Sequence, residues 1–140
     1  MITVYRTSFY YLCLLFCLVS FAHAEEELES LPKVQYYELS PSFVANFGEA
    51  TAKRLKFIKA DLTVSVFSDE AVSAVRAHNA LIRHQVVMIL SAQTDQSLAA
   101  SGGQDNLRKA IVAKVKAVLK EETGKEQIDD LLFTNFVVQR

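Results

Sequence analysis

Two histidines, His78 and His84, lie beyond residue 24 of the sequence and carry side chains that could bind a metal ion or transfer a proton. They are six positions apart, which places them about 120° apart around a helix, whereas a helical pair that chelates one metal is spaced four positions apart. The sequence therefore predicts a structural histidine at the edge of the core for His78 and a solvent-facing position for His84.

Two further groups could bind phosphate or act as an acid and a base. Gly102 and Gly103 precede a predicted helix, as a phosphate-binding loop does, but no Gly-Lys-Ser or Gly-Lys-Thr follows them. Asp129 and Asp130 are neighbours, and neighbouring residues of a strand point to opposite faces of the sheet. With no Gly-x-Ser-x-Gly motif either, a small hydrolase or metal enzyme has no support. We predict a non-enzymatic protein without catalytic, cofactor-binding or metal-binding residues.

The charged residues do not indicate nucleic-acid binding. Lys109, Lys116 and Lys120 fall on one side of a predicted helix, without the interleaved aromatic residues or arginines that stack on bases. The formal net charge of the chain is −1, so it has no basic excess either. We interpret the three lysines as a solvated helix face.

The N-terminal segment has the layout of a secretory signal. Arg6 precedes an uncharged run over residues 9–22, and Ala22-His23-Ala24 then offers small residues at the two positions that a signal peptidase reads. The run covers about 14 residues, fewer than the roughly 20 that a transmembrane helix requires. We predict a signal peptide over residues 1–24, cleaved between Ala24 and Glu25; an uncleaved single-pass inner-membrane anchor is the alternative.

Cysteine use agrees with export, because Cys13 and Cys17 both lie within the apolar run. The remaining chain therefore contains no disulfide framework, thiol nucleophile or cysteine-based zinc site. A domain without free thiols suits an oxidising compartment.

The rest of the chain is expected to form an exposed lead-in over residues 25–33 and one α+β domain over residues 34–140. Strands are predicted over residues 34–39, 43–47, 54–68 and 128–139, and the third shows the clearest alternation of apolar and polar residues. A helix is predicted from the cap Asp69 to about residue 91 or 92, a helical turn and a loop over residues 93–104, and a second long helix over residues 105–122 that ends at Gly124. The predicted fold is a small, mostly antiparallel sheet packed against these two long helices.

The first long helix carries two apolar stripes instead of the single stripe of an ordinary surface helix. One stripe is predicted to face the sheet, and its members are Ala71, Val75, Ile82, Val86 and Ile89. The second stripe consists of Ala74, Ala77, Leu81 and Met88. Two explanations stay open at this point: the second long helix covers this stripe, or part of it remains exposed as a self-association contact.

Several runs, in their order along the chain, resemble the FliL family of flagellar basal body-associated proteins. The runs are Tyr-Tyr-Glu-Leu-Ser-Pro-Ser-Phe-Val-Ala-Asn-Phe over residues 36–47, Arg-Leu-Lys-Phe-Ile-Lys-Ala-Asp-Leu over residues 54–62, Leu107-Arg108, and Leu-Phe-Thr-Asn-Phe-Val-Val-Gln over residues 132–139. The last run is the most specific, because an aromatic residue, a threonine and then Phe-Val-Val-Gln close members of this family.

The resemblance implies a periplasmic domain, similar to stomatin-like domains, that sits beside the flagellar stator units and assembles with itself into rings. It implies a role in stator recruitment, torque or flagellar rotation, and hence in swimming, swarming and chemotaxis, with no catalysis. It also implies the inner membrane close by, although here the apolar run is short. A periplasmic scaffold or binding module unrelated to motility is the alternative function.

Overall fold

The computed structural model describes residues 33–48 and 54–140 of the chain. The predicted signal peptide, its cleavage position at Ala24 and Glu25, and all of the predicted lead-in except Lys33 lie outside the described residues. The described elements, in chain order, are β1 (Gln35–Glu38), β2 (Phe43–Phe47), β3 (Lys56–Val66), α1 (Asp69–Ala77), α2 (Asn79–Ser91), α3 (Asp95–Ala99), α4 (Gly103–Thr123) and β4 (Asp130–Gln139). The predicted α+β class is confirmed.

The strand β3 is the centre of the sheet, because the three other described strands all pair with it and every pairing is antiparallel. On one side of β3, β2 pairs with its first half and β1 with its second half, so β1 and β2 lie end to end. On the other side, β4 runs along nearly the whole length of β3. The long strand β3 therefore provides the hydrogen-bonding partner for all three of the other described strands.

The alternation in β3 produces one buried face and one open face. Its inward side chains, which are fully or almost fully buried, are Ile58, Ala60, Leu62, Val64 and Val66. This is the alternating set expected from the sequence, although the strand begins and ends about two residues inside the predicted limits of 54 and 68. The polar residues between them lie on the opposite face, as the period of two requires.

The predicted single helix after β3 is two helices, because the chain bends at His78. This residue has φ −99° and ψ 15°, outside the helical range, although its N–H still donates to the carbonyl of Ala74. Histidine and asparagine are weak helix formers, so the pair His78 and Asn79 offers little resistance to a bend. The predicted cap was also one residue late, since the hydroxyl of Ser68, not the side chain of Asp69, accepts the N–H of Ala71 at 3.1 Å.

The helices cover one face of the sheet, with α2 packed against β2 and α4 packed against both α2 and β4. The buried residues of α1 and α2 are Ala71, Val75, Ile82, Val86 and Leu90. Those of α4 include Leu107, Ile111, Val115, Val118 and Leu119. Ile89 was predicted to belong to the buried stripe but is only half-buried. The next residue, Leu90, is buried instead.

Glycines define both ends of α4. Gly102 precedes the helix with φ 74° and Gly124 ends it with φ 78°, both in the left-handed region that favours glycine. The N–H of Gly124 donates to the carbonyl of Lys120 at 2.9 Å, so the predicted C-terminal cap is confirmed. Within the part of the chain that the structure describes, no helix combines the length and apolar character needed to cross a bilayer.

The strand β4 contains a bulge at Thr134. Asn135 pairs with Asp61 and Phe133 pairs with Leu62, so Thr134 is the additional residue in β4. The Thr134 hydroxyl donates to the backbone carbonyl of Asp61 at 3.2 Å, and the Asn135 amide donates to the Asp61 carboxylate at 3.1 Å. The bulge reverses the alternation, so that Phe133 and Phe136 both face the helices and pack at the core.

Candidate functional site

The second apolar stripe, which we call the outer helix face (Ala74, Ala77, Leu81 and Met88), lies on the side of α1 and α2 that points away from the buried stripe. Met88 is 56% exposed and Ala77 is also exposed, whereas Ala74 and Leu81 are half-buried. The helix α4 packs against α2 without covering Met88 or Ala77. His84 is exposed on the same side of α2, as predicted. An apolar patch with a half-buried centre is thus open to solvent in the single chain.

Arg83, on the flank of α2, attaches this helix to the turn between β1 and β2. Its Nη1 atom donates to the carbonyl of Leu39 at 3.0 Å and to that of Pro41 at 2.6 Å. A weaker contact runs from Nη2 to the carbonyl of Ser42 at 3.4 Å. The guanidinium carbon lies 4.1 Å from the ring centroid of Phe43, a cation–π distance. The geometry of α2 is therefore fixed relative to the sheet.

The sequence patterns did not indicate this role for Arg83. An arginine in a helix is ordinary, and the three carbonyl acceptors are more than 40 positions earlier in the chain. The contact depends on the tertiary arrangement of α2 and the turn, which no local spacing reveals.

A cluster of ion pairs joins the start of α4 to the start of β4. The guanidinium of Arg108 contacts the carboxylate of Asp105 at 2.9 Å and also donates to that of Asp130. Lys109 contacts Asp105 at 2.7 Å. The hydrogen bond from Lys109, followed by that from Arg108, lowers the pKa of Asp105, and Asp105 in turn raises the pKa of Arg108. Arg108 therefore has its charge matched by two carboxylates, one from each element.

The pair Asp129 and Asp130 does not form a paired acid and base. Asp130 is held by Arg108, while the backbone N–H of Asp129 donates to the carbonyl of Ser65 at 2.8 Å. His78, at the bend between α1 and α2, has its Nδ1 atom 3.9 Å from the carboxylate of Glu122. Within residues 33–48 and 54–140, no group of three histidine, cysteine, aspartate or glutamate side chains is arranged to hold a metal ion.

The lysines of α4 have carboxylate neighbours within the chain. Lys116 and Lys120 each lie 3.9 Å from Glu126, and Lys109 pairs with Asp105. Lys109 and Lys120 are well exposed and Lys116 is partly covered. The three lysines thus lie on a solvated face with neighbouring acidic groups, as the sequence indicated.

A groove of about 590 Å³ opens beside the start of α4. Gly102, Gly103, Arg108 and Phe133 are among the residues that line it. The groove is shallow and mixed in polarity, and the guanidinium of Arg108 is already bound to carboxylates. Its chemistry offers no free charge to a ligand.

The open face of the sheet carries apolar side chains that alternation alone did not predict. These are Tyr36 (65% exposed), Val44 (59%), Leu132 (43%) and Val137 (46%). Between them, hydrogen bonds to Asp61, from Ser42 first and Asn135 second, lower the pKa of its carboxyl. The described residues therefore present two partly apolar surfaces, one on the helices and one on the sheet.

A comparison with protein-family models identifies the family that the chain matches. The model described as "Flagellar basal body-associated protein FliL" matches residues 36–139, which includes every strand and helix from β1 to β4 apart from the first residue of β1. No curated protein matches the chain.

Proposed function

The chain belongs to the FliL family of flagellar basal body-associated proteins, and from this premise we propose that it is a non-enzymatic accessory of the flagellar motor. It acts beside the stator units, where it supports their recruitment and the torque they deliver in swimming and swarming. The observation that carries the proposal is the family match over residues 36–139, which spans nearly the whole described fold.

We further propose that the domain is periplasmic and reaches that compartment through the segment over residues 1–24. Cleavage between Ala24 and Glu25 would release it, whereas retention of the segment would keep it on the inner membrane. Mass spectrometry of the purified protein distinguishes these outcomes. A protein that begins at Glu25 supports cleavage, and a protein that begins at Met1 and is extracted only by detergent contradicts it.

The outer helix face is the surface that we assign to self-association around the stator. Its exposure supports this assignment: Met88 is 56% exposed and Ala77 is also exposed, on a face that carries the half-buried Leu81 between them. Burying a side chain such as methionine or leucine contributes about 1.5 to 3 kcal/mol, enough to matter in a weak contact. A ring requires two different complementary patches, and this face would supply one of them.

A deletion strain provides the test of the motor role. Loss of the protein should reduce swimming or swarming while growth and flagellar assembly continue, because an accessory modifies torque and does not build the filament. Motility is compared on soft agar, on firm agar and in media of raised viscosity. Unchanged motility under all of these loads would contradict the assignment.

Complementation with point variants then tests the outer helix face. Met88→Asp should fold like the parent but lose self-association and restore motility poorly, because it places a charge in the apolar contact. Ala113→Asp, at an exposed position of α4, is the matched control and should complement fully. Leu81→Asp should show the same defect with some loss of stability, since Leu81 is half-buried. Full activity of Met88→Asp would exclude the outer helix face as the contact.

A further inference from the structure

The outer edge of β4 is open to pairing with another strand. The strand pairs with β3 on one side, and on its other side no described strand hydrogen-bonds to it. From Leu131 to Gln139 it contains no charged residue and no proline. Native proteins usually blunt exposed edges with lysine, proline, a short strand or a bulge, because an open edge offers its backbone groups to another strand. Of these four devices, β4 has the bulge at Thr134 and lacks the other three from Leu131 to Gln139.

The opposite edge of the sheet differs in this respect. It is made of two short strands, β1 and β2, with a break over residues 39–42 that contains Pro41. Proline lacks the N–H needed to continue a ladder, so this edge is divided into pieces of four and five residues. The asymmetry identifies β4 as the edge suited to a long pairing.

The bulge at Thr134 makes β4 symmetric about its own centre. Leu132 and Val137 both lie on the open face of the sheet, at 43% and 46% exposure. Phe133 and Phe136 both face the helices. In a regular strand, residues separated by three or five positions would point to opposite faces. Because Thr134 is an additional residue, the pattern reads the same in both directions from the point between Thr134 and Asn135.

We propose that β4 pairs with β4 of a second copy, antiparallel and about a two-fold axis between Thr134 and Asn135. In this register Leu132 of each copy lies opposite Val137 of the other, and Phe133 lies opposite Phe136. Apolar and aromatic residues directly across an antiparallel pair stabilise it. Both sheets then join into one continuous sheet across the axis, and the two open edges are removed.

Charges at the ends of β4 fit a second copy. Continuing the same register places Asp129 opposite Arg140, a carboxylate facing a guanidinium at each end of the paired strands. Both residues are exposed, and within the part of the chain that the structure describes Arg140 makes a long ion-pair contact, 3.6 Å to Asp95. Between these ends, the charged residue Asp130 is paired with Arg108 of its own chain and lies opposite Gln139 of the second copy, so no like charges face each other. This contact is separate from the outer helix face and does not depend on the motor role.

Cysteine cross-linking in the full chain tests the register. Cys13 and Cys17 are replaced by serine, and two differently tagged copies are produced together, one with Leu132→Cys and one with Val137→Cys. Directly opposed residues of an antiparallel pair have Cα atoms about 4.5 to 5.5 Å apart, within the range of a disulfide. Two copies of residue 132, in contrast, would be about 13 Å apart or more. Both positions are exposed, so folding should not change.

The expected result is a disulfide-linked dimer that contains both tags, with no dimer in cells that produce Leu132→Cys alone or Val137→Cys alone. Equal cross-linking by a single variant, no cross-linking of the mixture, or products that contain a different protein would each overturn the proposal. A dimer that requires both cysteine variants is the result that a two-fold pairing centred between Thr134 and Asn135 predicts.

A charge exchange tests the ends of the same contact. In the mixed cysteine background, Asp129→Arg introduced into both copies places two arginines opposite each other and should lower the cross-linked fraction severalfold. Addition of Arg140→Asp restores opposite charges and should recover it. A fall that Arg140→Asp does not reverse, or no fall at all, would contradict this register.

Discussion

Replacement of Arg83 by alanine should be among the more destabilising changes at a partly exposed position of this fold. The guanidinium donates to the carbonyls of Leu39 and Pro41 at 3.0 and 2.6 Å and covers the ring of Phe43 at 4.1 Å. Hydrogen bonds to a charged group contribute roughly 1.5 to 3 kcal/mol each when well shielded. A cation–π contact adds about 0.5 to 2 kcal/mol.

Partial exposure reduces these values, because one of the two short hydrogen bonds lies at the surface. We expect Arg83→Ala to lower the free energy of unfolding by about 3 kcal/mol. For a domain of this size, that corresponds to a fall in Tm of about 12 °C or more. Urea and thermal unfolding, followed by circular dichroism, measure both quantities.

Two variants separate the contributions. Arg83→Lys keeps a charge near the Phe43 ring but not the planar fork, and should lose about half as much stability. Arg76→Ala is the matched control, since Arg76 is an exposed arginine 5.9 Å from the ring centroid of Tyr37. It should cost about 0.5 kcal/mol or less. If Arg83→Ala cost less than about 1 kcal/mol, or no more than Arg76→Ala, this account of the attachment between α2 and the β1–β2 turn would be refuted.

Three further changes test the ends and the charges of α4. A methyl group at Gly103 would collide with the backbone carbonyl of Ser97, so Gly103→Ala should destabilise by about 2 kcal/mol or more in thermal unfolding. Gly124 has open space around it but φ 78°, so Gly124→Ala should cost about 1 kcal/mol and Gly124→Asn less. The hydrogen bond from Lys109 lowers the pKa of Asp105 in the folded protein. The contact therefore stabilises the fold fully above 3.8, the pKa of Asp105 in the unfolded chain, and this stabilisation is lost as the pH falls from 3.8 through the lower pKa of the folded state. Asp105→Asn should therefore flatten the decline of Tm below about pH 4, and an unchanged decline would contradict this reasoning.

Local patterns predicted the parts of the fold that depend on neighbouring residues. The alternation of Ile58, Ala60, Leu62 and Val64 specified the buried face of β3, and the left-handed residue that ends α4 was read from Gly124 alone. The bend at His78 was not predicted, because the apolar stripe continues across both helices with the spacing of a single helix. A weak local preference can yield to packing where two helices cross one twisted sheet.

The candidate surfaces were harder to predict from the sequence than the strands and helices, because they depend on tertiary contacts. The sequence identified the outer helix face as apolar, but exposure of Met88 depends on where α4 packs. The hydrogen bonds from Arg83 to the β1–β2 turn, the ion pair between Arg108 and Asp130, and the bulge in the pairing of β4 with β3 all depend on contacts between segments that are far apart in the chain. Register between such segments is set by the whole sheet, so no short motif could have predicted it.

The central position of β3 has a consequence for the order in which the chain can fold as it is made. Asn135 hydrogen-bonds to Asp61, 74 residues earlier in the sequence. During directional synthesis, β1, β2 and β3 therefore emerge well before the strand that closes the second edge of β3. Until β4 follows, that edge of β3 is free, and a pairing over so many residues requires a costly loop closure. A nascent chain with this topology remains incompletely folded until β4 has been synthesised. Until then it stays in a form that a chaperone can bind.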